Sequence, residues 1–315
     1  IMSNLNTNQK NPSDTDIDIM ELLTPVWRGK WVVAIACVIA GVVGVAYSLS
    51  LPNEYRSEVL LAPAEEANGG GLSALAGQFG GLASLAGVDL AGGKSDKVSI
   101  ALELLKSKSF IGEFVTNRDL KPVIMASEGW NRTANKLVYD EDIYNPNSET
   151  WVREVSAPLQ SEPSLQEVHK KFVEDHLGVN KDKETGFVKI AVTHHSPYVA
   201  KEITTNLIND INDRMRRLDI AEAEKSIGYL TDALEKTAIA DMQQIFYQLI
   251  EKQQQTKMLA NVRDEYVFKV IDPAVVPEKK SGPKRALICL LLVTSAFLIS
   301  CLVLIVRDQV KKSRD

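Results

Sequence analysis

The sequence is poor in cysteine and histidine, and their positions restrict the possible functions. All three cysteines, Cys37, Cys289 and Cys301, fall inside long apolar runs, so the region between those runs has no thiol for a disulfide or a cysteine-ligated metal. Two of the four histidines, His194 and His195, are adjacent. Neighbouring side chains at a strand end point to opposite faces, so one metal ion could not easily bind both. We therefore expect no metal site and no cofactor.

The sequence also lacks the short motifs of common hydrolases and any concentrated basic face. It contains no G-x-S-x-G and no H-E-x-x-H, and its formal net charge is −5. A glycine-rich stretch ends in GVDLAGGKS, but the first glycine of a phosphate-binding P-loop is replaced by Val88. The acidic residues are spread along amphipathic patterns and form no acid–base pair. We expect a protein that is not an enzyme and does not bind nucleic acid.

Two long runs without a charge, residues 31–51 and 286–306, are present instead. A helix of about 20 apolar residues crosses the hydrocarbon core of a bilayer, so both runs are predicted transmembrane helices. The first run is longer than a signal-peptide core and starts far from the N-terminus, which favours a retained anchor. Arg28 and Lys30 before it outweigh Arg56 after it, which favours both termini in the cytoplasm. A short interfacial helix is predicted over residues 19–30.

The first run carries small residues at every fourth position, namely Ala36, Ala40, Gly44 and Ser48. Small side chains on one face of a membrane helix allow another helix to approach closely. We call these four residues the small-residue strip. We expect the strip to pack against the second span or against a neighbouring subunit, although such residues are also common in membrane helices by chance.

The region between the runs mixes strand and helix patterns, and the sequence therefore predicts an α+β domain. We expect a mobile glycine-rich loop around the repeat at residues 70–87, and irregular structure with short helices over residues 117–163. The other predicted elements are a strand over residues 55–61, two helices over 98–115 separated by a cap at Ser109, a helix over 164–177, a strand over 186–194 and a closing strand over 267–276.

A long helical pattern follows Ser196-Pro197, a hydroxyl cap with proline at the first helical position. No proline interrupts it before residue 268, and a straight helix of that length would reach about 110 Å. Because the chain must return to the membrane, we predict a helical hairpin that turns between residues 219 and 241, with Gly228 as a possible turn residue.

Three prolines, Pro273, Pro277 and Pro283, stand just before the second run. Proline fixes φ and lacks a backbone donor, so the chain is expected to arrive at the membrane as a stiff, extended segment. We call residues 273–284 the strap, and we expect it to orient the second span toward a partner. The alternative is that the prolines only stop a helix at the membrane surface.

Several segments resemble the Wzz-type chain-length determinants, the polysaccharide co-polymerases of Gram-negative inner membranes. The resemblance covers nearly the whole chain and is carried by DIMELLTPVWRGKW, YRSEVLLAP, LAGQFGGLASLAG, ALELLKSKSF, HSPYVAKE and EYVFKVIDPAVVPEKKSGPKR. It implies a homo-oligomeric closed ring that controls how far a Wzy-type polymerase extends a lipid-linked glycan, most typically the lipopolysaccharide O-antigen. Relatives in capsule or exopolysaccharide export carry a tyrosine-kinase domain after the second span. Because only residues 307–315 follow here, we expect the class without a kinase domain.

The resemblance and the two runs together give the expected domain organisation. The expected parts are a cytoplasmic segment (1–30), a first span (31–51), a periplasmic domain (52–285), a second span (286–306) and a cytoplasmic tail (307–315). Within the periplasmic domain we expect an α/β base over residues 52–120, 186–200 and 266–285, with helical arms over residues 197–266. Two other functions remain open at this point, a periplasmic adaptor of another export system and a two-span periplasmic sensor.

Overall fold

The computed structural model describes residue 27 and residues 29–64 and 93–312. The chain divides into two compact units. One unit, the α/β unit, comprises residues 52–282; the other, the span unit, comprises the terminal segments that end at residue 51 and begin at residue 283. The expected interfacial helix at residues 19–30 and the glycine-rich loop at residues 70–87 lie wholly or largely outside the described residues.

Helices and strands are interspersed through the chain, as the mixed α+β pattern of the sequence predicts. In order, they are α1 (Lys30–Ser50), β1 (Tyr55–Pro63), α2 (Gly93–Leu105), α3 (Lys108–Asn117), α4 (Lys121–Met125), β2 (Ser127–Asn131), β3 (Lys136–Tyr139), β4 (Tyr144–Asn145), β5 (Thr150–Trp151), α5 (Leu165–Lys171), β6 (Leu177–Lys181), β7 (Val188–His194), α6 (Pro197–Lys236), α7 (Ala240–Val262), β8 (Phe268–Asp272) and α8 (Arg285–Lys312). A π-helical turn, Phe172–His176, connects α5 to β6. The expected mixed α and β fold is confirmed, with a helix long and apolar enough to cross a membrane near each end.

The α/β unit is built on an antiparallel sheet with the strand order β6-β7-β1-β8. In β1, buried Val59 and Leu61 alternate with outward residues, which is the pattern of a strand with one face in the core. Helices α2, α3 and α5 and the first half of α6 complete that core. Its largest fully buried side chains include Leu61, Phe114, Phe172, Ile190, Leu207 and Phe268.

Helices α6 and α7 form an antiparallel hairpin. Ser196 caps α6 by accepting a hydrogen bond from the Val199 amide, as the sequence predicts. Glu224 on α6 pairs with Lys257 on α7 at 2.7 Å, as expected where two helices joined by a short turn run antiparallel. The predicted hairpin is confirmed, and its turn at residues 237–239 lies within the predicted interval.

The prediction for Gly228 was wrong, because this glycine lies inside α6. A glycine in a helix costs about 1 kcal/mol relative to alanine, which a long and otherwise favourable helix tolerates. The turn is instead stabilised by the Gln243 side chain, which donates a hydrogen bond of 2.7 Å to the Thr237 carbonyl.

Three other local predictions differ from the structure. The cap between α2 and α3 is Ser107, whose hydroxyl accepts from the Phe110 amide at 3.2 Å, and Ser109 lies inside α3. The helix predicted over residues 164–177 ends in a π-helical turn at 176, and Leu177 begins strand β6. The region 117–163 contains two short hairpins, β2-β3 and β4-β5, in addition to irregular structure.

Asn212 connects the long helix to the end of the sheet. It is buried on α6, and its side-chain amide donates to the Phe268 carbonyl at 3.0 Å. Its side-chain oxygen accepts from the Val267 and Phe268 amides, each at 2.9 Å. The side chain therefore pairs with the start of β8 where backbone partners would otherwise be needed.

Candidate functional site

The strap is held along the outside of the α/β unit by contacts of its backbone. Ala274 is buried, and the Ser57 hydroxyl of β1 donates a hydrogen bond of 2.8 Å to the Val275 carbonyl. Pro273 and Pro277 lie in non-regular backbone on either side of this contact. The structure thus places these positions in non-regular backbone, with bends at residues 278–279, and it spaces the prolines along the segment rather than bringing them together.

The far end of the strap is joined to the chain just before β1. Glu54 and Gly282 form an isolated antiparallel bridge, in which the Glu54 amide donates to the Gly282 carbonyl at 3.0 Å. The Ser281 amide donates to the Glu54 carbonyl at 2.8 Å, and Lys280 Nζ donates to Asn53 Oδ1 at 3.3 Å. We call residues 53–54 and 280–282 the clasp. The clasp holds together the two places where the chain leaves and re-enters the α/β unit.

Gly282 allows the two segments of the clasp to come close. A Cβ atom at this position would lie 2.9 Å from the Glu54 carboxylate oxygen, so a larger residue would displace that side chain. Sequence reasoning missed the clasp, because its two segments are far apart in the chain and neither contains a recognisable motif.

The span unit pairs α1 with α8, and the small-residue strip lies on the paired side of α1. Gly44 and Ser48 are buried, and Ala36 and Ala40 are half-buried. Neighbouring positions such as Val38 and Val42 remain exposed. Within one chain, the strip therefore contacts the second span, and its role in assembly remains a prediction.

Gly44 is a point of close approach between α1 and α8 in the span unit. A Cβ atom there would lie 3.1 Å from Leu292 Cδ1 and 3.7 Å from the Cys289 Cα. The second span begins at Arg285, whose guanidinium donates to the Leu51 carbonyl at 3.1 Å. Because Leu51 is the first residue after α1, this bond satisfies a carbonyl that the helix end leaves without a partner. Pro283 lies two residues before α8, where it can no longer interrupt that helix.

The strongest electrostatic perturbation in the α/β unit is at His194, at the end of β7. His194 Nδ1 accepts from the Ser196 amide at 3.1 Å, so the proton of the neutral ring is on Nε2, 3.2 Å from the Val123 carbonyl. Burial lowers the pKa of His194 to about 3. The neutral ring thus supports the residue that caps the long helix α6.

His176 lies beside His194, with ring centroids 5.8 Å apart, and burial lowers the pKa of His176 as well. His176 Nδ1 lies 2.8 Å from the Thr193 carbonyl. His195, adjacent in sequence, instead lies 3.3 Å from the Asn53 carbonyl through its Nδ1. In the part of the chain that the structure describes, no group of three or more histidine, cysteine or acidic residues is placed to hold a metal ion.

The features of this candidate site are therefore structural contacts rather than reactive groups. The strap and the clasp rest on backbone hydrogen bonds, and the span pair rests on close packing of small residues. Such an arrangement can orient and hold segments of the chain.

Two families of known proteins match parts of this sequence. Residues 15–118 match the family "Wzz: Chain length determinant protein". Residues 237–309, from the hairpin turn through the strap and most of α8, match the family "GNVR: G-rich domain on putative tyrosine kinase". A search of the curated proteins finds no match to this sequence.

Solved structures of polysaccharide co-polymerases are also similar to this chain. A "full-length bacterial polysaccharide co-polymerase" is 12% identical, with 94% of this chain and 99% of that chain covered and a TM-score of 0.37. A fragment of WzzB, a polysaccharide co-polymerase from Salmonella Typhimurium, is 11% identical, with 73% of this chain and 100% of that chain covered and a TM-score of 0.29.

The GNVR match bears on the expectation of a class without a kinase domain. A domain described from tyrosine kinases covers the strap and the second span here, so this expectation is not confirmed. The chain is thus similar to the chain-length determinant family over residues 15–118 and to the GNVR domain over residues 237–309.

Proposed function

We propose that this chain is a non-catalytic, membrane-anchored regulator of polysaccharide chain length. It acts as an oligomeric co-polymerase that controls how far a Wzy-type polymerase extends a lipid-linked glycan, and the glycan is the lipopolysaccharide O-antigen. The observation that carries the proposal is the match of residues 15–118 to the Wzz family. The two apolar helices and the long helical hairpin support it. Deletion of the chain should remove the preferred glycan length while polymerisation continues.

The proposed topology places both termini in the cytoplasm and the α/β unit in the periplasm. Helices α1 and α8 are each long and apolar enough to span the inner membrane, and a long domain between two spans is translocated largely regardless of its charge. A reporter that is active only in the periplasm should be active when fused at Gly93 and silent when fused at the C-terminus. If the reporter fused at Gly93 were silent, that result would contradict a periplasmic location of the α/β unit.

The hairpin supports the proposal of an oligomer. Large apolar side chains remain exposed along the hairpin of the single chain, including Tyr229 on α6, Ile239 in the turn, and Tyr247, Met258 and Val262 on α7. Burial of apolar surface contributes about 25 cal/mol per Å², so subunits packed side by side would be stabilised along this hairpin. Native mass spectrometry of the detergent-extracted chain should show a closed, symmetric oligomer, and a stable monomer at micromolar concentration would contradict the ring.

The strap is proposed to orient the second span toward the polymerase or a neighbouring first span. Its contacts through Ser57 and the clasp do not use the proline rings, so replacing Pro273, Pro277 and Pro283 by alanine should leave the α/β unit folded. The triple variant should nevertheless shift or broaden the glycan length, because the stiff connection is lost. If the triple variant, at matched protein level and with an intact oligomer, produced glycan of unchanged length, the prolines would serve only to stop a helix at the membrane surface.

The GNVR match favours a second candidate, in which the chain serves capsule or exopolysaccharide synthesis together with a tyrosine kinase. The two functions differ in the polymer that they affect. A deletion strain whose lipopolysaccharide is unchanged but whose capsule or exopolysaccharide changes in length would favour this second candidate.

A further inference from the structure

Three aromatic side chains form a cluster on the α/β unit that neither the core nor the proposed function uses. Trp130 on β2 packs edge-on against Tyr55 at a centroid distance of 5.8 Å and against Tyr198 at 6.0 Å. Tyr198 is half exposed, and the rings of Tyr55 and Trp130 are partly accessible. Rings that combine a large apolar face with a polar edge are typical of the boundary between water and lipid.

The cluster lies where the chain enters and leaves the α/β unit. Tyr55 is the first residue of β1. It lies four positions after Leu51, the last residue of the N-terminal segment of the span unit, and four residues of extended chain span at most about 14 Å. The clasp joins Glu54 to Gly282, which precedes the second apolar helix by three positions. If both apolar helices span the bilayer, this double connection leaves the cluster close enough to reach the headgroup layer, which is about 5–7 Å deep in each leaflet.

The loop that follows Trp130, between β2 and β3, is flanked by positive charges. Residues 132–135 connect β2 to β3, and Arg132 and Lys136 are both exposed there. The Trp130 indole donates to Asn135 Oδ1 at 3.0 Å, which fixes the ring against the loop. From Gly129 to Tyr139 the sequence has two cations and no acidic residue, although Glu128 lies on β2 itself and Glu54 and Glu202 lie on neighbouring segments. Near an anionic membrane surface, each such cation contributes about 1 kcal/mol to binding.

We propose that Tyr55, Trp130 and Tyr198, with Arg132 and Lys136, form a docking surface for the anionic phospholipid headgroups of the bilayer that the chain spans. The surface would hold the α/β unit against the membrane in addition to the two covalent connections. The inference rests on the proposed membrane topology, and it is independent of which glycan the chain regulates.

The test is quenching of tryptophan fluorescence by lipid. The full chain is reconstituted in nanodiscs of phosphatidylcholine and phosphatidylglycerol, with acyl chains brominated close to the headgroup. The wild type is compared with Trp130→Phe and with the matched control Trp151→Phe, whose indole packs on Tyr144 and on none of the three rings of the cluster. Trp27 and Trp31 are the same in all three proteins. Retention of the wild-type elution volume verifies that each variant is folded.

The proposal predicts opposite shifts in the two variants. Trp130→Phe removes a quenched indole, so the quenched fraction of the emission should fall, whereas Trp151→Phe removes an unquenched indole, so the fraction should rise. In addition, R132E/K136E should lower the quenched fraction in nanodiscs that contain phosphatidylglycerol and leave it unchanged in pure phosphatidylcholine.

Equal quenched fractions in the wild type and Trp130→Phe would overturn the proposal, because the cluster would then face solvent, a glycan or another subunit. This outcome leaves the proposed function intact, since the glycan profile of the same variants is measured separately. Loss of the proposed topology would appear differently, as failure of the wild type to enter nanodiscs.

Discussion

The substitution Asn212→Ala tests how the hairpin is attached to the sheet. It removes three hydrogen bonds of 2.9–3.0 Å and leaves the Val267 and Phe268 amides and the Phe268 carbonyl without this partner. Both residues are buried, so water cannot easily replace the side chain. A buried polar group that loses its partner costs about 1–3 kcal/mol, and partial relaxation of the three groups gives a total loss of about 3–5 kcal/mol. In a domain of this size, that loss lowers Tm by roughly 10 °C.

The assay is thermal and urea unfolding of the full chain in mild detergent, followed by tryptophan fluorescence. The matched control is Asn209→Ala, the same substitution on an exposed position of the same helix, which should change the stability by no more than about 0.5 kcal/mol. Hydrogen exchange localises the effect, since the amides of β8 should lose protection before those of β7. Equal stability of the two variants would refute the assigned role of Asn212.

Two further predictions concern His194 and the two apolar helices α1 and α8. His194 has a pKa of about 3 in the folded state and an ordinary value near 6.5 when unfolded, so the unfolded state binds more protons between these values. The contribution of His194 to the free energy of unfolding should therefore be complete above about pH 6.5 and should fall by up to about 1.4 kcal/mol per pH unit as the pH drops toward 3. In urea titrations at several pH values, the variant His194→Gln should show a weaker dependence of the free energy of unfolding on pH. An unchanged dependence would assign it to other groups. In the spans, the variant Gly44→Cys should form a disulfide with the native Cys289 on mild oxidation, because a Cβ at residue 44 lies 3.7 Å from the Cys289 Cα. The control variant Val43→Cys, on the exposed face of α1, should not form this disulfide. Mass spectrometry counts the free thiols of each variant, and equal cross-linking in the two would contradict the pairing of α1 and α8.

The parts of the fold that the sequence predicted are those with a regular period. Alternation marked β1 and β7, the helical repeat and the Ser196-Pro197 cap marked α6, and uncharged length marked α1 and α8. In each case a single segment contains its own signal, because burial of one face dictates the pattern.

The parts that it missed depend on contacts between distant segments. No sequence pattern marks strand β6, and the predicted helix over residues 164–177 extends to its first residue, because the π-helical turn leaves no proline or glycine signal before Leu177. The hairpin turn uses a side-chain contact from Gln243 in place of a turn motif. Asn212 looks like a surface residue in the helical pattern, and its role appears only once β8 lies against α6.

The same limit applies to the candidate site. The positions of the small-residue strip could be chosen from sequence because small residues recur on one face of α1. The clasp could not, because Glu54 and Gly282 become neighbours only after the sheet and the strap have formed.

The central claim is that this chain sets the length of a surface polysaccharide. The most direct measurement is the length distribution of surface lipopolysaccharide, resolved on a gel, in a strain that lacks the chain and in the same strain complemented with it at matched expression. The account predicts that the deletion strain still polymerises the glycan but loses its preferred length, and that complementation restores that length. An unchanged distribution in the deletion strain would contradict the O-antigen assignment, and unchanged lengths of lipopolysaccharide, capsule and exopolysaccharide alike would contradict the role in chain-length control.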